Sequence, residues 1–508
     1  MPPTAKAKLL RASQEVNLLR RVAKLTSILD VAKAMTAARD LDVLLPLICS
    51  EAAKVVEADR CSLFILDRAR NELWSKVAQG TTQEIRVKVG VGIAGSVAQT
   101  GEVINIEDAY ADERFNRAVD QAQRYRTKAI LCVPMRQADG QIVGVLQALN
   151  KKNGSHFDAE DEELLLALGG QAAGAVENAL LHDEINRLFE GFVSASVVAI
   201  EARDPTTAGH SGRVADLTVG LAQAVEKVST GPYVGTRFKP EEVREIRYAS
   251  LLHDFGKVGV REPVLVKAEK LYPQEQDVLR ARFDLARKDR QLESWRRRMM
   301  AIEQRGPAAV AQVATEENSR LEKELKELDE MLNFILTCNR PTVLAQGGFE
   351  RLNELSKVAF ADSYGHDRKL LSAVEVQCLS IPRGSLSPLE RKEIESHVTH
   401  TFRFLSQIPW TRTLKRVPEI AYAHHEKLDG SGYPRSIASA QIPVQSKMMA
   451  ISDIYDALTA SDRPYKKAVP HPVALDIIKK ESEAGQIDKN LFALFVEAEI
   501  PKKFLRPK

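Results

Sequence analysis

The sequence predicts a multidomain chain: an N-terminal α+β domain with a central antiparallel sheet and helices, joined by a long helix to an all-α helical bundle carrying a helical-hairpin insertion. Three observations predict it. Several short runs between residues 61 and 151 alternate apolar and polar residues with period two, as half-buried strands do. A helical pattern then continues for some forty residues after His156, until Asp204-Pro205 stops it. From 204 to 500 every strong segment repeats at helical spacing. At 508 residues the chain also exceeds one core, since a domain takes roughly 150 residues.

In chain order, Leu18, Leu19, Val22, Leu25 and Ile28 fall at helical spacing and predict an N-terminal helix over 1–29. The stretch LDVLLPLICSEAAKVVEA is a second amphipathic helix, and CSLFILDR, ELWSKVAQ, EIRVKVG, AILCVPMR and IVGVLQALNK are strands. Together they make one α+β domain over 30–180. Residues 181–203 continue as a connecting helix, and a helix too long for one domain's face is a connector or a dimer seam, so a homodimer is expected. An all-α domain follows over 204–480, with a tail over 481–508. Residues 275–340 are heavily charged, and Leu321, Leu325, Leu328, Leu332 and Ile335 form one stripe, predicting a helical hairpin or short coiled coil inserted over 270–380. KLYPQEQDVLRAR at 270–282 aligns with SLSPLERKEIESH at 385–397 through Pro273/Pro388 and Glu275/Glu390, with Arg282 opposite His397. Proline followed by acids is a general helix start, so the alignment is either a repeat or the same signal used twice.

Charged residues make up 28% and hydrophobic residues 44%, and the net charge of +3 is nearly balanced, which gives no case for nucleic-acid or membrane-surface partners. The five cysteines, Cys49, Cys61, Cys132, Cys338 and Cys378, lie far apart without a CxxC pair. They are read as reduced core residues, neither a disulfide framework nor a thiolate metal site. The stretch MPPTAKAKLLRASQEV lacks a signal peptide's apolar run, and no segment approaches the roughly 20 apolar residues that span a bilayer. The expected location is cytoplasmic.

Gly90-Val91-Gly92-Ile93-Ala94-Gly95 matches the dinucleotide fingerprint GxGxxG in form only. That fingerprint needs a βαβ unit with an acid about 20 positions on, whereas here a short helix meets Thr-Gly-Glu and then a strand. The glycines are read as serving a tight turn and close packing. GIAGSVAQTGEVINIEDAYADERF followed by ALNKKNGSHFDAEDEELL resembles a GAF domain, a small-molecule sensor module. The second piece fits the signature of cyclic-nucleotide-binding members, carried by Asn150, Lys151, Phe157, Asp161 and Glu162, so the resemblance implies cAMP or cGMP as a candidate ligand. It also implies that Lys151 and Asp161 form an ion pair pinning a helix; the plainer reading is that this pair only fastens the last strand to the long helix.

The second domain holds the stronger chemistry. DPTTAGHSGRVADL offers His210, YASLLHDFGKVGV offers His253, Asp254 and Lys257, and ERKEIESHVTHTFRFL offers His397 and His400. HHEKLDGSGYP at 424–434 offers His424 and His425, and MAISDIYDALTASDRPYKKA offers Asp453, Arg463 and Lys466. Six or seven His and Asp side chains on separate helices are the composition of a two-metal site in a bundle core. Imidazole and carboxylate without thiolate favour two first-row divalent ions, iron or manganese, over structural zinc. His210 after Ala-Gly is equally a helix cap, and His397 and His400 both sit on usable faces. Leu-Leu-His-Asp implies burial, and a buried Asp needs a partner. Two adjacent histidines cannot share one helix face, so His424 and His425 reach separate partners, or one ion cluster from irregular backbone. His156, His182, His366 and His471 are read as surface or loop residues.

The combination of His-Asp-x-x-Lys, HHEKLDGSGYP and DIYDALTASDRPYKK resembles the HD-GYP family of phosphohydrolases, which hydrolyse cyclic dinucleotides. The match covers about 190–270 and 380–475. The resemblance implies that His210, His253, Asp254 and Asp453 hold one metal, and that Asp254 bridges to a second held by His397, His424 and His425. It implies Lys257 beside the attacked phosphate, Arg463 and Lys466 on phosphate oxygens, and Gly432, Tyr433 and Pro434 at the pocket rim. The implied reaction is hydrolysis of cyclic di-GMP to linear pGpG, GMP or both; the rivals are another cyclic dinucleotide such as cyclic GMP-AMP, and a receptor without turnover. Some members add a third metal through a glutamate one turn before the first histidine, where this chain has Thr206, so a binuclear site is expected. The 270–380 connection is longer than the family's.

Overall fold

The computed structural model describes residues 31–35, 40–75, 85–154, 156–204, 208–343, 347–362, 364–460 and 468–504. The expected helix over 1–29, Thr206, Arg463 and Lys466 lie outside these. The chain falls into two compact units, Met1–Glu190 and Gly191–Lys508.

In the first unit, helix α1 (Leu41–Val55) starts where the Asp40 side chain accepts from the Asp42 N–H, and it buries Leu44, Leu45, Ile48 and Cys49. Strands β1 (Ala58–Asp67), β2 (Glu72–Ser75), β3 (Ile85–Lys88), β4 (Ile104–Ile106), β5 (Ile130–Arg136) and β6 (Ile142–Lys151) form one antiparallel sheet of order β3-β2-β1-β6-β5-β4. Helix α2 (Gly92–Thr100) packs on one face with Phe64, Ile93, Val97 and Val145. On the other face α1 and the first turns of α3 (Ala159–Arg203) enclose Leu63, Leu131, Leu146, Leu165 and Leu168. The GxGxxG stretch makes the turn into α2: Gly90 has φ +84°, and a Cβ on Gly95 would fall 2.5 Å from the Lys88 carbonyl oxygen. Those glycines therefore serve backbone geometry.

Helix α3 is continuous over 45 residues, and an 18-residue window in it has a mean hydropathy of 1.4 with half of it buried. The expectation that no segment comes near membrane-spanning length and apolarity was too strict. The apolarity has a local cause, because Leu164, Leu165, Leu168, Ala172, Ala173 and Val176 on this helix belong to the sheet's core.

In the second unit, α4 (His210–Val225), α5 (Pro240–Leu252), α11 (Val444–Thr459), α12 (His471–Glu483) and α13 (Lys489–Glu497) share a core of Leu217, Leu221, Ile246, Met448, Ile451, Ile478, Leu491 and Phe495. Between α5 and α11 the chain forms a 3-10 turn (Phe255–Gly259), α6 (Pro273–Arg305), α7 (Val310–Asn339), α8 (Pro388–Glu395), α9 (His397–Leu405) and α10 (Val417–Tyr422). Helices α6 and α7 are the predicted hairpin. They pack with helices Gly348–Leu355 and Ala373–Leu379 around a separate core that includes Leu279, Phe283, Leu328, Leu332, Ile335, Leu352 and Leu371. Of the predicted stripe, Leu328, Leu332 and Ile335 are buried, while Leu321 and Leu325 are half-buried farther out.

One element departs from the all-α expectation. Strands β7 (Ala359–Ala361) and β8 (Asp367–Lys369) pair antiparallel around Asp362, whose carboxylate accepts from the N–H groups of Tyr364 and His366. Three-residue strands are too short to show a period. The aligned stretches at 270–282 and 385–397 both start helices with proline in the first turn and a glutamate three residues past the cap: Glu275 accepts from Tyr272 N–H and Glu390 from Ser387 N–H, each at 2.8 Å. The shared feature is this helix-start signal.

Candidate metal centre

The histidines sit mostly at helix ends, where the backbone can turn them inward. His210 opens α4 behind Gly209, which has φ +68°; His253 caps α5; His397 opens α9; His424 and His425 follow the end of α10. Asp453 lies within α11. Three of the histidines repeat one local device. Their Nδ1 atoms contact the carbonyl three residues earlier: His253 to Ser250 at 2.7 Å, His397 to Ile394 at 2.5 Å and His424 to Ala421 at 2.6 Å. A carbonyl only accepts, so each Nδ1 carries the proton and each Nε2 presents a lone pair. Those three Nε2 atoms are buried without a hydrogen-bond partner among the described residues. Leaving three such acceptors unmet is costly, and a cation or a water molecule in the space they face would meet them.

The carboxylates face the same space. Asp254 Oδ2 lies 3.7 Å from His210 Nε2 and 3.5 Å from His253 Nε2, while its Oδ1 lies 3.4 Å from His397 Nε2. Its two oxygens thus point at two separate groups of imidazoles. Asp453 Oδ1 is 3.1 Å from His210 Nε2 and 3.7 Å from His253 Nε2, and its Oδ2 is 3.9 Å from His425 Nδ1. Three sets have ligand atoms within 4.8 Å of one another: His210, His253 and Asp254; His253, His424 and Asp453; and His397, His424 and His425. All seven residues of the expected ligand set come together. His400 is instead placed against Gly259, whose added Cβ would meet its ring at 2.9 Å.

What brings the two halves together is a backbone contact. A Cβ on Gly256 would lie 1.9 Å from the His397 carbonyl oxygen, so only glycine lets the Phe255–Gly259 turn press onto α9. The buried Thr401 hydroxyl accepts from the Gly256 N–H at 2.8 Å and donates to the His253 carbonyl at 2.9 Å. Lys257, on that turn, reaches Asp254 at 2.8 Å and Asp204 at 3.3 Å. Burial works against its charge, yet those carboxylates raise the ammonium's pKa above the ordinary value.

The loop after the paired histidines is held by acids. Glu426 is buried and accepts from the N–H groups of Arg435 and Ile437 at 2.8 and 3.1 Å, and Asp429 accepts from Ser431. A Cβ on Gly432 would lie 2.3 Å from the Lys427 nitrogen, and the ring of Tyr433 lies 4.8 Å from that of His425.

Sequence reasoning missed Asp456. Its Oδ2 is 2.7 Å from His210 Nδ1, and the Arg213 Nε–H donates to its Oδ1 at 2.7 Å. The signal was available, as Asp453 and Asp456 stand one turn apart on a largely apolar helix. A carboxylate on the far side of a ligand imidazole fixes its orientation and basicity, and losing one typically costs 10–100-fold in metal affinity. Asp456→Ala is expected to weaken Mn2+ binding by about tenfold or more by that rule, while leaving helix content unchanged; equilibrium dialysis checks it.

The imidazoles differ electrostatically. Burial, and after it the neighbouring imidazoles, hold His424 well below the ordinary range. Burial likewise outweighs the attraction of Asp453 and holds His425 down to about 3, so both are neutral at pH 7. Burial also works against charge on His210, but Asp453 and Asp456 outweigh it and raise its pKa to about 9. A ligand imidazole must be neutral. Metal binding at pH 7 is therefore expected to release close to one proton from His210, and the release to vanish as pH rises through about 9, where the group is already neutral. Calorimetry in buffers of different ionisation enthalpy measures it.

In the first unit a cavity of about 190 Å³ is lined by Phe64, Phe115, Tyr125, Thr127 and Gln147 among others. The five signature residues do not line it. Lys151 pairs with the buried Asp161, Glu162 accepts from Asn105 at 2.7 Å, Phe157 is buried, and Asn150 donates to the Tyr125 hydroxyl at 2.8 Å. Lys151 and Glu162 fasten β6 and β4 to α3, and Asn150 braces Tyr125 in the cavity wall.

Family models agree with both units. A GAF domain model matches residues 40–176 and an HD domain model matches residues 372–491. The chain carries a GAF domain and an HD domain. The HD match contains His397, His424, His425 and Asp453; His210, His253 and Asp254 precede it, across the 270–380 insertion. Among curated proteins, dual 3',5'-cyclic-AMP and -GMP phosphodiesterase 11A of Takifugu rubripes is 42% identical over 140 residues, 25% of this chain and 16% of that protein. Dual 3',5'-cyclic-AMP and -GMP phosphodiesterase 11 of Drosophila melanogaster is 32% identical over 185 residues, 33% of this chain and 13% of that protein. The chain thus spans a small part of the relatives it matches. The solved GAF domain of a phosphoenolpyruvate-protein phosphotransferase from Coxiella burnetii is 24% identical, with a TM-score of 0.29, covering 32% of this chain and 96% of that one.

Proposed function

We propose that the chain is a cytoplasmic, dimeric signalling phosphodiesterase of the HD-GYP kind, hydrolysing cyclic di-GMP to linear pGpG, GMP or both under the control of its GAF domain. The observation that carries this reading is the meeting of three unpartnered buried Nε2 atoms with two carboxylates, each of which turns one oxygen to His210 and His253 and the other to His397 or His425. In this reading His210, His253, Asp254 and Asp453 hold one divalent ion, His397, His424 and His425 hold another, and Asp254 serves both. With imidazole and carboxylate donors, iron or manganese fits. Bound there, the ions supply Lewis acidity toward a phosphoryl oxygen and a lowered pKa for water.

The chain's own groups do the rest. Lys257 holds a fixed positive charge beside Asp254 to offset charge growing on phosphate oxygens. Arg463 and Lys466 bind further phosphate oxygens. Gly432, Tyr433 and Pro434 form the rim, positioned by Glu426. On α3, Leu181, Ile185 and Leu188 are 48%, 59% and 70% exposed at spacings of four and three, which fits a helix pair between two copies. The GAF cavity takes cAMP or cGMP, and control requires that ligand to bind two helix arrangements unequally.

A second reading rests on the activity for which the two phosphodiesterase relatives are named: the substrate is a 3',5'-cyclic mononucleotide. One assay separates them. The chain is purified without added metal, supplied with Mn2+, and offered cyclic di-GMP, cyclic GMP-AMP, cAMP and cGMP, with cAMP and cGMP also tested as effectors. The expected result is metal-dependent appearance of pGpG or GMP from cyclic di-GMP at the highest kcat/KM. Binding without products would instead make the chain a receptor, and cleavage of the mononucleotides alone would favour the second reading.

A further inference from the structure

The hairpin carries an apolar seam that its own chain leaves uncovered. On α6, Val278, Leu285, Leu292 and Met299 recur every seven residues and are 57%, 50%, 51% and 67% exposed. Ala281, Lys288, Trp295 and Ile302 stand three residues after each of them; Trp295 is 62% exposed. This is the a/d pattern of a coiled coil, kept for four heptads. It is not the side that packs in the hairpin, because Leu279, Phe283 and Ala286 on the other face fill the insertion's core. The flanks are also tied down: Arg282 donates to the Leu370 carbonyl and to Glu375, and Asp289 accepts from the Ala361 N–H. A strict seven-residue repeat drifts by about 20° per heptad on a straight helix, so the surface that can stay in contact with it is another helix supercoiling alongside.

We propose that α6 pairs with α6 of a second copy of this chain as an antiparallel coiled coil centred near residue 290. Side-chain sizes and one charge select this occupant and this direction. In a parallel, in-register pair Lys288 would face Lys288, Ala281 would face Ala281 and leave a gap, and Trp295 would crowd Trp295. Running antiparallel, Leu285 meets Trp295, Met299 meets Ala281, Val278 meets Ile302, and Lys288 lays its methylenes along Leu292 with its ammonium in water. Pairing the exposed residues buries on the order of 1,000 Å² over both copies, within reach of a specific interface. A membrane surface fits less well. The seam is narrow, and its flanks mix Asp277, Asp284, Asp289 and Glu303 with Arg282, Arg296 and Arg298, whereas an interfacial helix shows a broad apolar face bordered by basic residues.

This pairing is independent of the catalytic reading and of the α3 seam, since a cross-link reports on α6 alone. The full chain with Leu285→Cys and Trp295→Cys is treated with a short bismaleimide. The expected result is that most of the protein becomes a covalent dimer, that each single variant gives at least tenfold less, and that adding Leu292→Glu lowers the yield tenfold with unchanged circular dichroism. No cross-link in the double variant overturns the pairing, as does a Leu285→Cys single variant that links to itself equally well. Association with phosphatidylserine vesicles that Leu292→Glu abolishes, without cross-linking, also overturns it.

Discussion

Asp254→Ala is expected, on the proposed two-ion reading, to abolish binding of both ions and to lower any cyclic di-GMP turnover by about three orders of magnitude or more, since each ion would lose a charged ligand at once. Asp254 is buried and ionised: burial opposes its charge, but the Lys257 ammonium, with the charged His210 beside it, holds its carboxyl well below the usual range. Its two oxygens face different imidazole groups, and they approach His253 and His397 more closely than the Asp453 oxygens approach His253 and His425. Without it the remaining imidazoles form two poorer sets with less negative charge between them. Asp254→Asn keeps the volume and one acceptor, so it tests charge separately from packing. Metal analysis and product chromatography on both variants read the outcome.

Gly256→Ala is expected to cost roughly 3 kcal/mol or more of stability, and to abolish metal binding without altering any ligand. The added methyl carbon would stand 1.9 Å from the His397 carbonyl oxygen and 2.4 Å from the Thr401 nitrogen, and backbone atoms cannot yield as a flexible side chain can. The turn must lift from α9, which draws Asp254 and Lys257 away from His397. Thr401→Ala removes only the hydroxyl link between Gly256 N–H and His253 carbonyl, and the unmet groups cost a smaller amount, about 1–3 kcal/mol. Thermal unfolding with and without Mn2+ separates the two: the ion stabilises the Thr401 variant and leaves the Gly256 variant unmoved.

The candidate site was legible where chemistry leaves short-range marks. His253-Asp254 between apolar neighbours, the adjacent His424 and His425, and Asp453 on its helix stand out because charged or imidazole side chains are rare in such company. The choice between His397 and His400 was open at that level, and helix geometry decides it by turning His400 onto Gly259. Gly256, Thr401 and Glu426 were not legible, because what each does depends on a backbone that arrives from elsewhere in the chain. For the fold, the change of period marked the sheet and the long helix clearly. The ribbon of β7 and β8 escaped, being held by turn hydrogen bonds to Asp362 more than by any apolar pattern. The GAF signature led to residues that brace the cavity, whereas its lining comes from strands and loops with no common spacing.

The most direct measurement is equilibrium dialysis of the metal-free chain against Mn2+ or Fe2+, with elemental analysis of the protein. Two ions per chain are predicted for the wild type and fewer than one for a His253→Ala, His397→Ala double variant of unchanged fold. A wild-type chain that holds no ion at saturating metal, or a double variant that still holds two, would contradict the account.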